Sequence, residues 1–206
     1  MTDGPVEVLT VGHSTLSYEG FLSLLRQASV NAVADVRSAP YSRHFPHFNR
    51  FALRDELRGD DIAYVFLGEE LGGRPKDARF YRDGVANYER MARADLFIAG
   101  LDRVIEGARK YRIAMMCSEH EPLDCHRCLL VGRSLHERGV TVRHILSTGQ
   151  IADHESIEKR LMELSGKSND DLFEQFEKRL ADAYRERASK VAFAERADAE
   201  KTLIEE

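Results

Sequence analysis

The sequence predicts an α/β protein with a mostly parallel central sheet of about five strands, helices on both faces, and a C-terminal helical extension. Three observations carry that prediction. Short β-rich runs alternate with amphipathic helical stretches. The connections are short wherever a loop holds no motif. Each polar loop marked by glycine or proline follows a strand, so in an alternating arrangement all such loops lie at one edge of the sheet.

The elements follow in order. "VEVLTVG" (Val6–Gly12) is a β-rich run closed by a glycine. "YEGFLSLLRQA" (Tyr18–Ala28) sets Phe21, Leu22, Leu24 and Leu25 on one helical stripe. "VNAVADVRSAP" (Val30–Pro40) reads as a buried strand that stops at the proline. "RFALRDELRG" (Arg50–Gly59) is a short helix, and "IAYVFLG" (Ile62–Gly68) a third strand. From about Val85 to Lys110 the chain reads as helical, divided in two. "RIAMMC" (Arg112–Cys117) is a fourth strand, "HRCLLVGRSLHERG" (His126–Gly139) a helix ended by glycine, and "VTVRHI" (Val140–Ile145) a fifth strand. Composition changes near Gln150, which divides residues 1–150 from an extension over 151–206. In that extension Glu155–Leu164 forms one helix. "SNDD" (Ser168–Asp171) then offers a cap for a second, on which Leu172, Phe176, Leu180, Tyr184 and Val191 share a face. The segment from Ser168 onward is expected to be dispensable for the fold of the first 150 residues. Its apolar face suits docking on its own domain or a homodimer contact.

The chain has 206 residues, 43% of them hydrophobic and 32% charged, which is the balance of a folded domain and not of a disordered one. No apolar run reaches the roughly 18–20 residues of a membrane span, and the first residues show no basic and apolar leader. The three cysteines all fall within Ala114–Cys128. An odd count in one cluster argues against a disulfide scaffold and places the chain in a reducing, cytoplasmic setting without membrane partners. The net charge of −5 lies entirely in residues 153–206, and residues 1–152 are neutral. Between Arg37 and Arg54 there are four arginines and two histidines with no acid. An anionic ligand, with nucleotide or nucleic acid the first candidates, is therefore compatible with the acidic whole.

The chemistry-bearing residues collect in the loops that follow the strands. These are "GHST" (Gly12–Thr15), "DVRSAPYSR" (Asp35–Arg43), "LGEELGGRP" (Leu67–Pro75) and "CSEHEPLDCHR" (Cys117–Arg127). Cys117 stands at a strand end, and Cys125 at a helix start beside His126 and Arg127, where the helix dipole and the cations favour a thiolate. Asp35, Glu119 and His13 are candidate acids or bases. Arg37, Arg43, Arg74 and Arg127 are candidate forks for phosphate or carboxylate, with Ser38, Ser42 and His126 beside them and the backbone of Gly12, Gly72 and Gly73 as further donors. Tyr41, Phe45 and Phe48 interleave with basic residues, which suits stacking on bases as well as inward packing. The spacing from Cys128 to Arg133 has one residue too few for a cysteine phosphatase loop. No cofactor is predicted, although Cys117, Cys125 and His126 are donors that a metal ion would accept; the spacing matches no common zinc knuckle.

In order and spacing these four loops resemble the DUF488 family, a widespread prokaryotic group defined as a domain of unknown function. The resemblance runs from about Val6 to Leu161, while Cys128 and the tail after about Ser165 lie outside it. It implies a fold and a site and leaves the reaction open. Three readings stand: an enzyme that cleaves a glycosidic or phosphate-linked bond in a nucleotide or nucleic acid, a non-catalytic nucleic-acid-binding module, and a metal-binding or redox thiol protein.

Overall fold

Strand β1 (Glu7–Gly12) is buried along nearly its whole length and lies inside the sheet. It leads through α1 (Tyr18–Gln27), capped by the Ser17 hydroxyl on the Gly20 N–H, to β2 (Ala32–Asp35). Helix α2 (Arg50–Gly59) returns the chain to β3 (Ala63–Phe66). A one-turn α3 (Gly68–Leu71), a hairpin of β4 (Tyr81–Arg82) and β5 (Val85–Ala86), α4 (Tyr88–Met91) and α5 (Asp95–Ala108) precede β6 (Ile113–Cys117). After β6 come a π-helical stretch over Arg127–Gly132, α6 (Arg133–His136), β7 (Thr141–Ile145), β8 (Ile151–Asp153), α7 (His154–Leu164) and α8 (Phe176–Val191). The computed structural model describes residues 4–168 and 175–195. Of the expected cap Ser168–Asp171 all but Ser168, and the apolar position Leu172, therefore lie outside the described residues.

The predicted α/β class holds. The central sheet has six strands in the order β3-β2-β6-β1-β7-β8, parallel except for the antiparallel pairing of β8 with β7. The sheet is thus one strand larger than predicted, and it continues past residue 150. Ile151–Asp153 is too short for its period to be read from sequence. Strand β2 ends at Asp35 and not at Pro40. Residues Asp83 and Gly84, both with positive φ, make the tight turn between β4 and β5, so Val85–Ala86 is a strand and the helix expected from about Val85 begins at Tyr88.

Each face of the sheet carries its own core. On one face Phe21 and Leu25 of α1 and Leu53 and Leu57 of α2 cover Leu9, Val11, Val33 and Met116. On the other, Phe97, Leu101 and Val104 of α5 join Leu129, Leu130, Leu161 and Tyr184 over Val8, Ala34 and Met115. Connections out of β1 and β2 thus leave to one face, and those out of β3 and β6 to the other. β6 lies between β2 and β1, so neighbouring strands there send their loops in opposite directions. A crevice opens at such a point beyond the strand ends.

Helix α8 packs on this second core. Ala183 and Tyr184 are buried in it. The Tyr184 hydroxyl donates to Glu158 Oε1 at 2.9 Å and lies 3.1 Å from His154 Nε2. From there a chain of hydrogen bonds runs inward, from His154 Nδ1 to His144 Nε2 at 2.9 Å and from His144 Nδ1 to Thr10 Oγ1 at 2.9 Å. Every ring nitrogen in this row has a partner, which is what makes two buried histidines tolerable. Beyond α8 the Phe193 carbonyl accepts from Ala86 N at 2.9 Å, tying the tail to the β4–β5 hairpin. Along α8 Ala183 and Tyr184 dock on the domain's own core, Leu180 and Val191 are half-buried, and Phe176 is exposed.

Ending the chain after Gly166 should therefore lower the melting temperature and the cooperativity of unfolding. Tyr184→Phe in the full chain should cost about 1–3 kcal/mol, because Glu158 and His154 lose a buried partner. Thermal or urea unfolding checks both, and a truncated chain with the full chain's melting temperature would show the tail to be separable.

Candidate functional site at the strand ends

The crevice holds a buried ion pair. Asp35, the last residue of β2, is fully buried, and its carboxylate receives Arg37 Nε at 2.9 Å and Nη2 at 2.7 Å. Tyr64 adds a hydroxyl to Asp35 Oδ2 at 2.7 Å. The remaining reach of Arg37 goes to the Phe48 carbonyl at 2.8 Å and to His13 Nε2 at 3.2 Å. His13 donates from Nδ1 to the Ser14 carbonyl and stacks on Phe48 with centroids 4.1 Å apart. Burial, with the Arg37 charge beside it, lowers the pKa of His13 from 6.5 to about 4, so the ring is neutral and accepts from Arg37. Asp35, Arg37, His13 and Phe48 thus form one saturated network under the crevice. Of the aromatic loop residues, Phe48 packs inward and Tyr41 is exposed.

The second group surrounds Cys117, the last residue of β6. A close approach of loops creates it: a Cβ at Gly12 would overlap the Glu119 carbonyl oxygen, so only glycine fits there. The Cys117 sulfur lies 3.1 Å from Glu119 Oε2 and 3.6 Å from His126 Nδ1. Cys125 lies 2.9 Å from the same Glu119 oxygen and 3.9 Å from the same His126 nitrogen. His126 donates from Nε2 to the Val36 carbonyl at 2.9 Å, which turns Nδ1 toward the sulfurs; burial lowers the pKa of the ring, but Cys125 and Glu119 beside it raise it overall. Gly73 packs flat against that ring; a Cβ there would stand 2.8 Å from His126 Cγ.

Cys125 has the position of a helix cap. Its carbonyl accepts from Leu129 N at 3.0 Å, and its sulfur accepts from Arg127 N at 3.4 Å. Burial alone would raise its pKa, but the hydrogen bond from Cys117 and the charges of Arg127 and His126 outweigh burial and hold it well below the usual thiol range. Cys117 moves the other way, raised by burial and by Cys125 beside it. Glu119 is likewise raised, by burial of its carboxyl and by the charge on Cys125. The cluster therefore keeps the proton on Cys117 and favours the ionised form of Cys125.

Arg127 is fully buried and donates to the carbonyls of Glu119 and His120, the latter at 2.9 Å. It shapes the loop that carries Glu119, and its charge acts through Cys125. Ser38 lines the crevice and accepts Arg74 N at 2.9 Å. Ser42 instead closes its own loop, with its N–H on Asn49 and its hydroxyl receiving Phe45 N. Arg43 is exposed and lies outside the cavity lining. Gly12 and Gly73 serve as points of close packing.

Cys117, Glu119 and His126 line a cavity of about 150 Å³ together with Arg37, Ser38, Arg74, Ser118 and Asp124. Tyr88, Val191 and Phe193 complete its wall, and none of the three was signalled by the motif loops. Tyr88 sits in an ordinary helical turn capped by Asn87. Val191 and Phe193 come from the tail, held down where Arg187 donates to the Leu123 carbonyl at 3.0 Å and pairs with Asp124.

Two outcomes test this geometry. Arg37→Leu leaves Asp35 buried without its cation and should cost about 3–5 kcal/mol in urea unfolding, the scale for breaking one side of a buried pair; a loss under 1 kcal/mol would mean the pair is replaceable. Acid stability follows from the histidines. His13 titrates at about 4 and His154 at about 3 in the folded protein, against 6.5 for the free side chain. Between about pH 6.5 and pH 3 the unfolded chain binds more protons, so stability is lost as the pH falls through that window. Melting curves should show this fall, and a His13→Asn, His154→Asn double variant should show a shallower one.

The model of the family described as "Domain of unknown function DUF488" matches residues 17–134 of this chain. That stretch runs from the cap of α1 through the Asp35–Arg37 pair to the Cys117–Arg127 loop and into α6. No curated protein matches the chain, and neither does a solved structure. Among the described residues no helix is long and apolar enough to cross a membrane. With more than half of its length inside the family match, the chain belongs to the DUF488 family.

Proposed function

We propose that the chain is an enzyme whose nucleophile is the Cys117 thiol, acting on a substrate with an anionic, phosphate- or carboxylate-type group. One observation carries this reading: Cys117 Sγ, His126 Nδ1 and the Val36 carbonyl follow one another at 3.6 and 2.9 Å, with Cys117 and His126 lining the crevice. Nucleophile, base and a group that orients the base is the arrangement that nucleophilic catalysis needs. Cys117 rests as a thiol, so the base must remove its proton as the sulfur attacks. His126 and Glu119 are both in reach to do so.

Several groups of the wall suit a negative substrate group, alongside the acidic Glu119 and Asp124. Arg74 and Arg37 line it, with the hydroxyls of Ser38 and Ser118. Arg37 is held by Asp35 and contributes a fixed charge more than a free fork. The cavity is smaller than the roughly 300–1,000 Å³ of pockets that enclose a drug-sized ligand. A small substrate fits whole; a nucleotide would insert only its phosphate.

Reduced, chelator-treated protein exposed briefly to iodoacetamide and mapped by mass spectrometry should be labelled first at Cys117. His126→Gln should slow that labelling by about 10²-fold, the lower range for loss of a positioned base. Phosphate or a nucleoside monophosphate should protect Cys117. Equal labelling of all three cysteines, or no effect of His126→Gln in a folded protein, would refute this assignment.

A further inference from the structure

We infer that Cys117, Glu119, Cys125 and His126 form a binding site for one thiophilic divalent cation of the zinc class. Their donor atoms, two sulfurs, one imidazole nitrogen and one carboxylate oxygen, all lie within 4.8 Å of one another. Tetrahedral zinc with bonds of about 2.3 Å to sulfur and about 2.0–2.1 Å to nitrogen or oxygen would set neighbouring donors about 3.5 Å apart. The sulfur-to-nitrogen separations here are 3.6 and 3.9 Å, and the sulfur-to-oxygen separations 3.1 and 2.9 Å. The first pair fits as it stands. The second requires the Glu119 carboxylate, on an exposed loop residue, to swing outward by about half an ångström.

The surroundings are those of a ligand set. The His126 Nε2–H is held by the Val36 carbonyl, as ligating imidazoles are held by an outer acceptor, and Gly73 fixes the plane of the ring. The Cys125 sulfur already accepts a backbone N–H from Arg127, the contact a thiolate favours. Two thiolates and a carboxylate sum to three negative charges. Buried Arg127 supplies one positive charge and a divalent cation two, so the filled site is neutral. Cys117, Glu119 and His126 face the cavity, which gives the ion a way in. The inference rests on the donor geometry and not on Cys117 being a nucleophile. Where both hold, a bound cation occupies the sulfur lone pair that would attack, so the metal silences the thiol.

Cobalt(II) alone, titrated into reduced and chelator-treated protein, tests the site. The expected result is one equivalent bound, with sulfur-to-cobalt charge transfer in the near ultraviolet and strong visible bands of tetrahedral cobalt. Cys117→Ser and Cys125→Ser should each remove about half of the charge-transfer intensity, and Glu119→Gln should weaken binding at least tenfold. Cys128→Ser should change nothing. Cys128 forms a separate buried trio with His144 and His154, so a band lost only in that variant would overturn the assignment, as would wild-type protein with no charge-transfer band. The two readings of the cluster separate in wild-type protein. Cobalt binding with an unreactive metal-free Cys117 would sustain the metal site and sink the nucleophile. A reactive Cys117 without cobalt binding would sink the metal site alone.

Discussion

The buried pair of Asp35 and Arg37 is the constraint on which the site depends. A carboxylate at the end of an interior strand, with no exposure to water, is tolerable only when it is paired and hydrogen-bonded. The bidentate guanidinium meets that need, and Tyr64 fills the remaining lone pair. In doing so Arg37 ties β2 to the Phe48 carbonyl of the following loop and to His13 of the loop after β1. Val36, between the two charges in sequence, is thereby fixed with its carbonyl toward His126. The orientation of the imidazole at the cysteines is thus set from the neighbouring strand.

The cysteine cluster is arranged around a shortage of positive charge. Two thiols and a carboxyl share one oxygen, Glu119 Oε2, within 3.1 Å. Such a group cannot be fully ionised without a compensating cation, because like charges at that distance disfavour each other strongly in a buried setting. Arg127 is the fixed cation that touches the cluster's backbone, and its guanidinium is aimed at carbonyls. Protons or a metal ion must supply the rest. Thiol chemistry and metal binding are two uses of one electrostatic arrangement, and the contents of the site decide between them.

Much of this was legible in the chain. The α/β class, the five parallel strands and the convergence of the motif loops follow from periodicity and from glycine placement. Cys117, Glu119, Cys125 and His126 meet as their positions at a strand end and a helix start suggested. What was not legible is which polar groups would be consumed internally. Arg37 and Arg127 look like free forks in sequence, but burial makes each a structural cation, and sequence carries no measure of burial for a single arginine. Asp83-Gly84 was a readable hairpin signal, outweighed by the helical run that follows it. The part played by Val191 and Phe193 could not be read at all, since a residue's approach to a distant loop is a property of tertiary packing.

The placement of those last two residues has a consequence for how the protein comes into being. Cys117 is at the end of a central strand, and Phe193 is among the last described residues, yet both line the same cavity. During synthesis the sheet through β7 can pair before α8 has emerged, because its strands lie earlier in the chain. The cavity cannot close until α8 docks and Phe193 joins Ala86. A nascent chain in which α8 has not yet docked would therefore carry Cys117 beside an unfinished wall, open to water and to stray electrophiles. Docking of α8 is the event that shelters Cys117.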